Sequence, residues 1–333
     1  MDIEKVLLTA LEKDPCDEST WLVLADWLEE QGQQHRTEFL RLQRSLRGLP
    51  EGEQREALES RLTELLVGGV RPWTPVITNS IGMQLALIPP GQFWLGSPEN
   101  EVGRYNDESP RRLITLSQPF YLGIYPVTQQ QYERCIGHNP SAFAPLGRLG
   151  DVVSGRDTSM HPVECVNWYE AVAFCQMLSD LPREQAAGRV YRLPTECEWE
   201  YACRGGVALS CPFPYGKTIS TRLANYRDTA RNRSSSRRRH TTPVGSYPPN
   251  GFGLYDMVGN VWEWCQDWYA STAYMFNPDT DPPGPKEGER RNARGGTYNL
   301  ETRRVRSADR SSFEPDQRDS DLGFRVLCEW RPR

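Results

Sequence analysis

The sequence predicts two unlike parts: a small all-α unit over residues 1–66 and, beyond a linker at 67–77, an α+β domain with much irregular coil over residues 78–333. Three observations carry this. Before residue 66, apolar residues recur at helical spacing. The stretch Gly68-Gly69-Val70-Arg71-Pro72-Trp73-Thr74-Pro75 interrupts any regular element by its Gly and Pro content. From there to the end, short apolar segments and many aromatics alternate with Gly, Pro and Asn turns, and few helices stand out.

In the first part, Trp21, Leu24 and Leu28 share one helical face, and Phe39, Leu42 and Leu46 share another. Gly32 falls between them, where a helix end needs a residue tolerant of positive φ. A third run, Leu58, Leu62 and Leu65, follows the turn Leu49-Pro50-Glu51-Gly52. A hairpin or three-helix unit this small buries little core, so its stripes need each other, a partner or the rest of the chain. In the larger part, Thr128 and Gln131 form a capping box, with Val127 and Tyr132 placed as a hydrophobic staple. Thr195 and Glu198 form a second box ahead of Trp199, Ala202 and Cys203. A third helix starts at Asn167 and carries Ala171, Phe174, Cys175 and Leu178.

Bulk properties narrow the function. A formal net charge of -5 over 333 residues argues against general nucleic-acid binding, which needs a basic face, while leaving room for a local basic patch. The opening apolar run is flanked by Glu4 and Lys5 and by Glu12, Lys13 and Asp14, unlike a secretory signal. No uncharged run approaches the ~20 residues that span a bilayer. The expectation is a soluble cytoplasmic protein with no membrane partner. Nine cysteines, an odd number with no C-x-x-C pair, suit buried free thiols in a reducing compartment better than a disulfide framework. The basic, serine-rich run from Arg231 to His240 is expected to be a surface loop. It is a solvated insertion, a site for acidic partners or phosphates, or a protease-sensitive loop cut at Arg231, Arg233, Arg237, Arg238 or Arg239.

The order of motifs adds a resemblance. N-S-I-G-M-Q-L-A-L-I-P-P-G-Q-F-W-L-G-S is followed by P-F-Y-L-G-I-Y-P-V-T, H-P-V-E-C-V-N-W-Y-E-A-V-A-F-C and Y-R-L-P-T-E-C-E-W-E-Y-A-C-R-G-G. Then come P-P-N-G-F-G-L-Y-D-M-V-G-N-V-W-E-W-C-Q-D-W-Y, R-G-G-T-Y and G-F-R-V. Taken in this order, the blocks resemble the formylglycine-generating enzyme (sulfatase-modifying factor) family, which implies a C-type-lectin-like core. The earlier stretch D-P-C-D-E-S-T-W-L-V-L-A-D-W-L-E-E-Q-G resembles a repeat-companion helical module, read either as a docking module or as a plain spacer.

The family's chemistry is not carried over. Its members oxidise a sulfatase cysteine with a copper ion held by two cysteines, soft ligands for Cu(I). The resemblance places those cysteines after the R-G-G-S-Y/F segment, and here Gly295 to Arg310 contains none. A second branch uses iron held by three histidines, and His35, His138, His161 and His240 lack its spacing. The expectation is therefore no copper, no iron and no catalytic residue. The competing class is an enzyme of the same fold, with oxidative or unassigned chemistry using Cys265 or another thiol. The resemblance also implies that Cys175 can approach Cys328, and that Ser307 stands where a partner of Cys203 would be. It further implies a structural calcium held by the Asp256 side chain, the carbonyls of Gly259 and Val261, and the Glu263 carboxylate, hard oxygen donors that suit calcium. In binding relatives the C-terminal segment contacts the ligand. The matching positions here are Tyr298, Asn299, Glu301, Thr302, Asp309, Glu314, Asp316, Arg318 and Asp319, between scaffold residues Arg306, Arg310 and Arg325. Such polar, charged positions suit a protein or peptide partner. The functional expectation is a non-catalytic binding or regulatory protein of a bacterial signalling or defence system.

Overall fold

Helices come first, as the apolar spacing requires. The computed structural model describes residues 3–14, 17–48, 53–72, 74–206, 211–228, 240–329 and 331. The arginine-rich run with Arg231, Arg233, Arg237, Arg238 and Arg239 lies outside the described residues, as does Cys16. Four helices, α1 (Ile3–Lys13), α2 (Glu18–Glu30), α3 (Gln34–Gly48) and α4 (Glu53–Val67), make the N-terminal unit. The Asp17 carboxylate caps α2 by accepting from the Ser19 and Thr20 amides. Gly32 follows α2 at φ +72°, the backbone the sequence asked for. α3 is two-faced. Leu40 joins Leu11, Trp21, Leu24 and Leu28 in one cluster, and Phe39 and Leu46 join Leu62, Leu65 and Leu66 in another. The stripes thus bury each other, and α1 adds a helix that the three apolar runs did not announce.

The unit also touches the domain that follows. The buried Gln43 side chain donates to the Gly251 carbonyl at 2.6 Å, and the Thr74 hydroxyl donates to the Phe252 carbonyl at 3.4 Å.

In the domain, β1 (Val76–Thr78), β2 (Gln84–Ile88), β3 (Gly91–Leu95), β4 (Arg112–Leu116) and β5 (Phe120–Gly123) precede α5 (Gln129–Ile136). Next come α6 (Trp168–Asp180), α7 (Pro182–Ala186), β6 (Tyr191–Arg192) and α8 (Glu196–Arg204). The rest are β7 (Trp262–Trp268), α9 (Ala273–Phe276), β8 (Arg291–Arg294), β9 (Arg310–Phe313), β10 (Leu322–Phe324) and β11 (Leu327–Glu329). The strands form a five-stranded sheet, β1-β2-β5-β11-β6, a four-stranded sheet, β10-β7-β8-β9, and the hairpin β3-β4. Pairing is antiparallel except between β10 and β7.

The three helix starts read from the sequence are all present as reciprocal capping boxes. Thr128 with Gln131 opens α5, Asn167 with Glu170 opens α6, and Thr195 with Glu198 opens α8. On β2, Leu85 and Leu87 face one core while Ala86 and Ile88 face the other. Val326, Leu327 and Cys328 alternate in the same way around β11. Period-two alternation with both sets apolar means that β2 and β11 are buried on both faces, between the two cores, while the edge strand β1 is largely exposed. Cys175 and Cys328 share the core of α6, and both are free thiols, like the other described cysteines. Cys203 lies beside Ser307, the position expected to face it.

Candidate functional site

Beneath the C-terminal segment lies a layer of buried charge. Arg294, Arg306, Arg310 and Arg325 are each almost wholly buried, and each meets a glutamate from a distant part of the chain. Arg306 binds Glu101 at 2.6 Å and Glu108. Arg310 holds Glu196 through two bonds of 2.7 and 2.9 Å, and Arg294 donates to Glu200, which also accepts from Arg204. Arg325 holds Glu263 at 2.8 and 2.9 Å and donates to the carbonyls of Gly123, Ile124 and Tyr255. Removing one partner of such a pair leaves an uncompensated buried charge, costing ~3–5 kcal/mol. These pairs tie the C-terminal segment to both halves of the domain.

On this base, the expected ligand-contacting residues divide. Asn299, Glu314, Asp316 and Arg318 are exposed, and Glu301, Thr302 and Asp319 are half-buried. They lie on two stretches, 299–302 and 314–319, held by bonds from elsewhere. The Leu300 carbonyl accepts from the Arg227 amide, and Glu301 pairs with the Arg227 side chain at 3.3 Å. The Pro315 carbonyl accepts from the Trp168 amide at the start of α6, the Asp319 carbonyl accepts from the Cys165 amide, and Arg318 clasps Glu170 at 2.8 and 3.0 Å. The face is thus polar and charged on a braced backbone.

Two of the nine do not belong to that surface. Tyr298 is buried against Phe143, with ring centroids 5.6 Å apart, and packs with Val153. An aromatic ring among apolar neighbours is worth more inside than out. Asp309 is fully buried, bound by Arg304 at 3.2 Å and 3.7 Å from Arg306. Burial pushes its carboxyl up to about 8, against the pull of Arg304 and Arg306. Both stand in the ligand-contacting set because the resemblance to binding relatives places the whole segment there. Their partners, Phe143 and the ion-pair layer, come from elsewhere in the fold.

The turn expected to hold calcium is tightly wound. Asp256, Gly259 and Asn260 all have left-handed backbone, with φ of 55°, 79° and 63°. The Asp256 carboxylate accepts from the Gly245 amide at 2.7 Å and faces the Asn260 amide at 3.4 Å. Burial pushes the Asp256 carboxyl up to about 6. The carbonyls of Gly259 and Val261 belong to the same turn. Glu263, by contrast, is committed: besides Arg325 it accepts from the Trp199 indole at 2.7 Å. Of the two carboxylates in the expected donor set, one is already neutralised by a guanidinium. That set fits calcium only if Arg325 shares its partner.

Behind Tyr298 lies a second polar cluster that the sequence did not mark. Glu164 is buried and accepts from the amides of Ala142 and Phe143 at 2.9 and 2.8 Å, yet burial raises its carboxyl to about 7. Its one signal was an acid inside the apolar block H-P-V-E-C-V. His161 meets the Thr241 hydroxyl at 2.9 Å, and burial, with His240 and Arg156 nearby, lowers its imidazole to about 4. It is a structural histidine.

The buried thiols of Cys197, Cys203 and Cys265 are poor nucleophiles. Cys265 is fully buried and its thiol is pushed well above the ordinary value, first by burial and then by Asp267 and Glu196. Cys197 behaves in the same way, and burial raises Cys203 to about 12. Among the described residues no group of three or more His, Cys, Asp or Glu side chains is placed to hold a metal ion. Among them, too, no helix is long and apolar enough to cross a membrane.

Comparisons with known proteins agree with the blocks read from the sequence. The family model for the sulfatase-modifying factor enzyme 1-like domain matches residues 78–330. The chain is similar to the formylglycine-generating enzyme of Mus musculus, with 32% identity over 296 residues, 74% of this chain and 75% of that protein. Among solved structures it is similar to PvdO from Pseudomonas aeruginosa, at 29% identity and a TM-score of 0.64, covering 78% of this chain and 100% of that one. It is also similar to Treponema denticola variable protein 1, at 27% identity and a TM-score of 0.60, covering 78% of this chain and 99% of that one.

Proposed function

Since the chain belongs to the sulfatase-modifying factor enzyme 1-like family, we propose that it is a non-catalytic member, a C-type-lectin-like scaffold that binds a protein partner on the face formed by residues 299–302 and 314–319. One observation carries this: the interval from Gly295 to Arg310 holds no cysteine, and its exposed positions are polar or charged instead. Asn and Glu do not replace thiolates as ligands for a soft Cu(I) ion. A braced backbone presenting Asn299, Glu301, Glu314, Asp316 and Arg318 supplies directional hydrogen bonds and charges, the means by which protein surfaces gain specificity. The helical unit is a second docking element or a spacer. The buried free thiols support a reducing, cytoplasmic setting, and a role in bacterial signalling or defence rests on analogy of fold alone.

Affinity capture from a bacterial host tests the reading. The wild-type protein is expected to retain a specific protein that a variant with Asn299, Glu301 and Arg318 changed to Ala loses. Identical captures by the two would count against this face. Calcium is a separate proposal for the Asp256 turn. Added calcium should raise the melting temperature of the wild type and leave Asp256→Ala unmoved, and no rise in the wild type would dismiss the ion.

A further inference from the structure

Arg304 occupies a place built for a cation. Its guanidinium stands over the ring of Tyr105 at 5.1 Å and over the ring of Trp262 at 5.4 Å, and its Nη1 donates to Asp309 Oδ1 at 3.2 Å. Two aromatic faces attract positive charge, and the Asp309 carboxyl, which burial disfavours as an anion and which Arg304 and Arg306 draw back toward it, adds an acceptor on the third side. The walls come from separate parts of the fold: Tyr105 precedes the short turn 106–108, Trp262 opens β7, and Asp309 immediately precedes β9. Trp262 and Asp309 are buried and firmly placed. The occupant is not. Arg304 ends a three-residue 3₁₀ turn, Thr302–Arg304, and its side chain remains 24% exposed.

The fit is also incomplete. Arg304 supplies one bond to a carboxylate that can accept a paired, fork-shaped donor, and Asp309 Oδ2 is buried with no hydrogen-bond partner among the described residues. Leaving a buried acceptor unpaired costs free energy that a better-placed donor recovers. Arg306, 3.7 Å from the same carboxylate, is already held by Glu101 and Glu108. The two stretches of the proposed face carry both signs of charge: Glu301, Glu314, Asp316 and Asp319 stand there with the exposed Arg318, and the exposed Arg303 adjoins them.

We propose that Tyr105, Trp262 and Asp309 form a receptor box for an arginine side chain of the protein partner, filled in this structure by the chain's own Arg304, which the incoming guanidinium displaces. The proposal rests on the protein-binding reading of this face and adds the chemistry of the partner: a segment that presents an arginine side chain.

Arg304→Ala empties the box, and Arg304→Gln serves as a second variant should the first fold poorly. The probe is methylguanidine, followed by calorimetry and by the Trp262 indole signal in NMR. Both variants are expected to bind one equivalent at least about tenfold more tightly than the wild type, in which Arg304 competes for the same walls. Methylammonium, which lacks the fork, is expected to bind more weakly. Equal binding to wild type and variants, no shift of the Trp262 indole, or methylammonium binding as tightly as methylguanidine would each overturn the proposal. No partner protein is needed, so failure here leaves the capture experiment standing. A failed capture with methylguanidine bound would sink the face and keep the box.

Discussion

Changing Glu263 to Gln probes the buried charge layer at its most connected point. Arg325 is fully buried and spends its donors on Glu263 and on the carbonyls of Gly123, Ile124 and Tyr255. One side chain thus joins the end of β5, the Asp256 turn and the strand β7. Gln keeps the volume and one acceptor but removes the charge, leaving the guanidinium uncompensated. Breaking a buried pair costs ~3–5 kcal/mol, and with the three carbonyl bonds intact the lower end, ~3 kcal/mol, is expected. For a domain of this size each kcal/mol moves the midpoint by ~2–4 °C, so calorimetry should show a drop of ~6–12 °C. The double variant Glu263→Gln with Arg325→Met should recover at least half of the loss, since it removes the stranded charge as well. A loss below ~1 kcal/mol would refute the reasoning, because surface pairs are worth no more than that. A loss seen only with calcium present would also refute it and make Glu263 a metal ligand rather than the partner of Arg325.

Other perturbations separate the remaining parts of the account. Glu164 titrates in the folded protein at about 7 against an ordinary 4.5, so the folded state is penalised as pH rises through that window. Glu164→Gln should therefore gain on the wild type between those values in pH-dependent melting, and a constant difference would contradict the burial argument. Ser307→Cys places a thiol beside Cys203, and oxidation should join the two, as seen by mass spectrometry after proteolysis. Two free thiols after oxidation would mean the side chains do not meet. Gln43→Ala removes the buried bond to Gly251, a net ~1 kcal/mol, and should speed proteolysis in the linker at 67–77. An unchanged cleavage rate would show that the helical unit is held by other contacts.

How much was legible in the sequence varied with how local the signal was. The starts of α5 and α8 were readable because a capping box is complete within four residues, Thr128 to Gln131 and Thr195 to Glu198; the start of α6 at Asn167 was read from its apolar stripe, and its box with Glu170 came only with the structure. The two-faced character of α3 was readable in part, since Phe39 and Leu46 lie on one stripe while Leu40 serves the other cluster. The missing cysteines were plain from the interval 295–310 alone. Burial of charge was not readable. The resemblance marks Arg306 as a scaffold residue, but the glutamates that receive it, Glu101 and Glu108, stand some 200 positions earlier and no local pattern names them. Asp309 stands in the ligand-contacting set by the resemblance alone, and the structure buries it beside Arg304 and Arg306. The resemblance of its motif makes Glu263 an expected calcium ligand, while the guanidinium that engages it lies 62 positions further on. Tyr298 stands between Thr297 and Asn299, and nothing local shows that Phe143 will pack against it. The box around Arg304 gave no sequence signal beyond an acid set within an arginine-rich run, Arg303 to Arg310.

The absence of catalysis is tested most directly by incubating the purified protein with a Cys-x-Pro-x-Arg peptide, copper and oxygen, and following the peptide by mass spectrometry. The expected result is an unmodified thiol at every time point, with the mouse relative converting the same peptide in parallel. Appearance of the aldehyde with this chain would contradict the account, since the interval from Gly295 to Arg310 holds no thiol to carry copper.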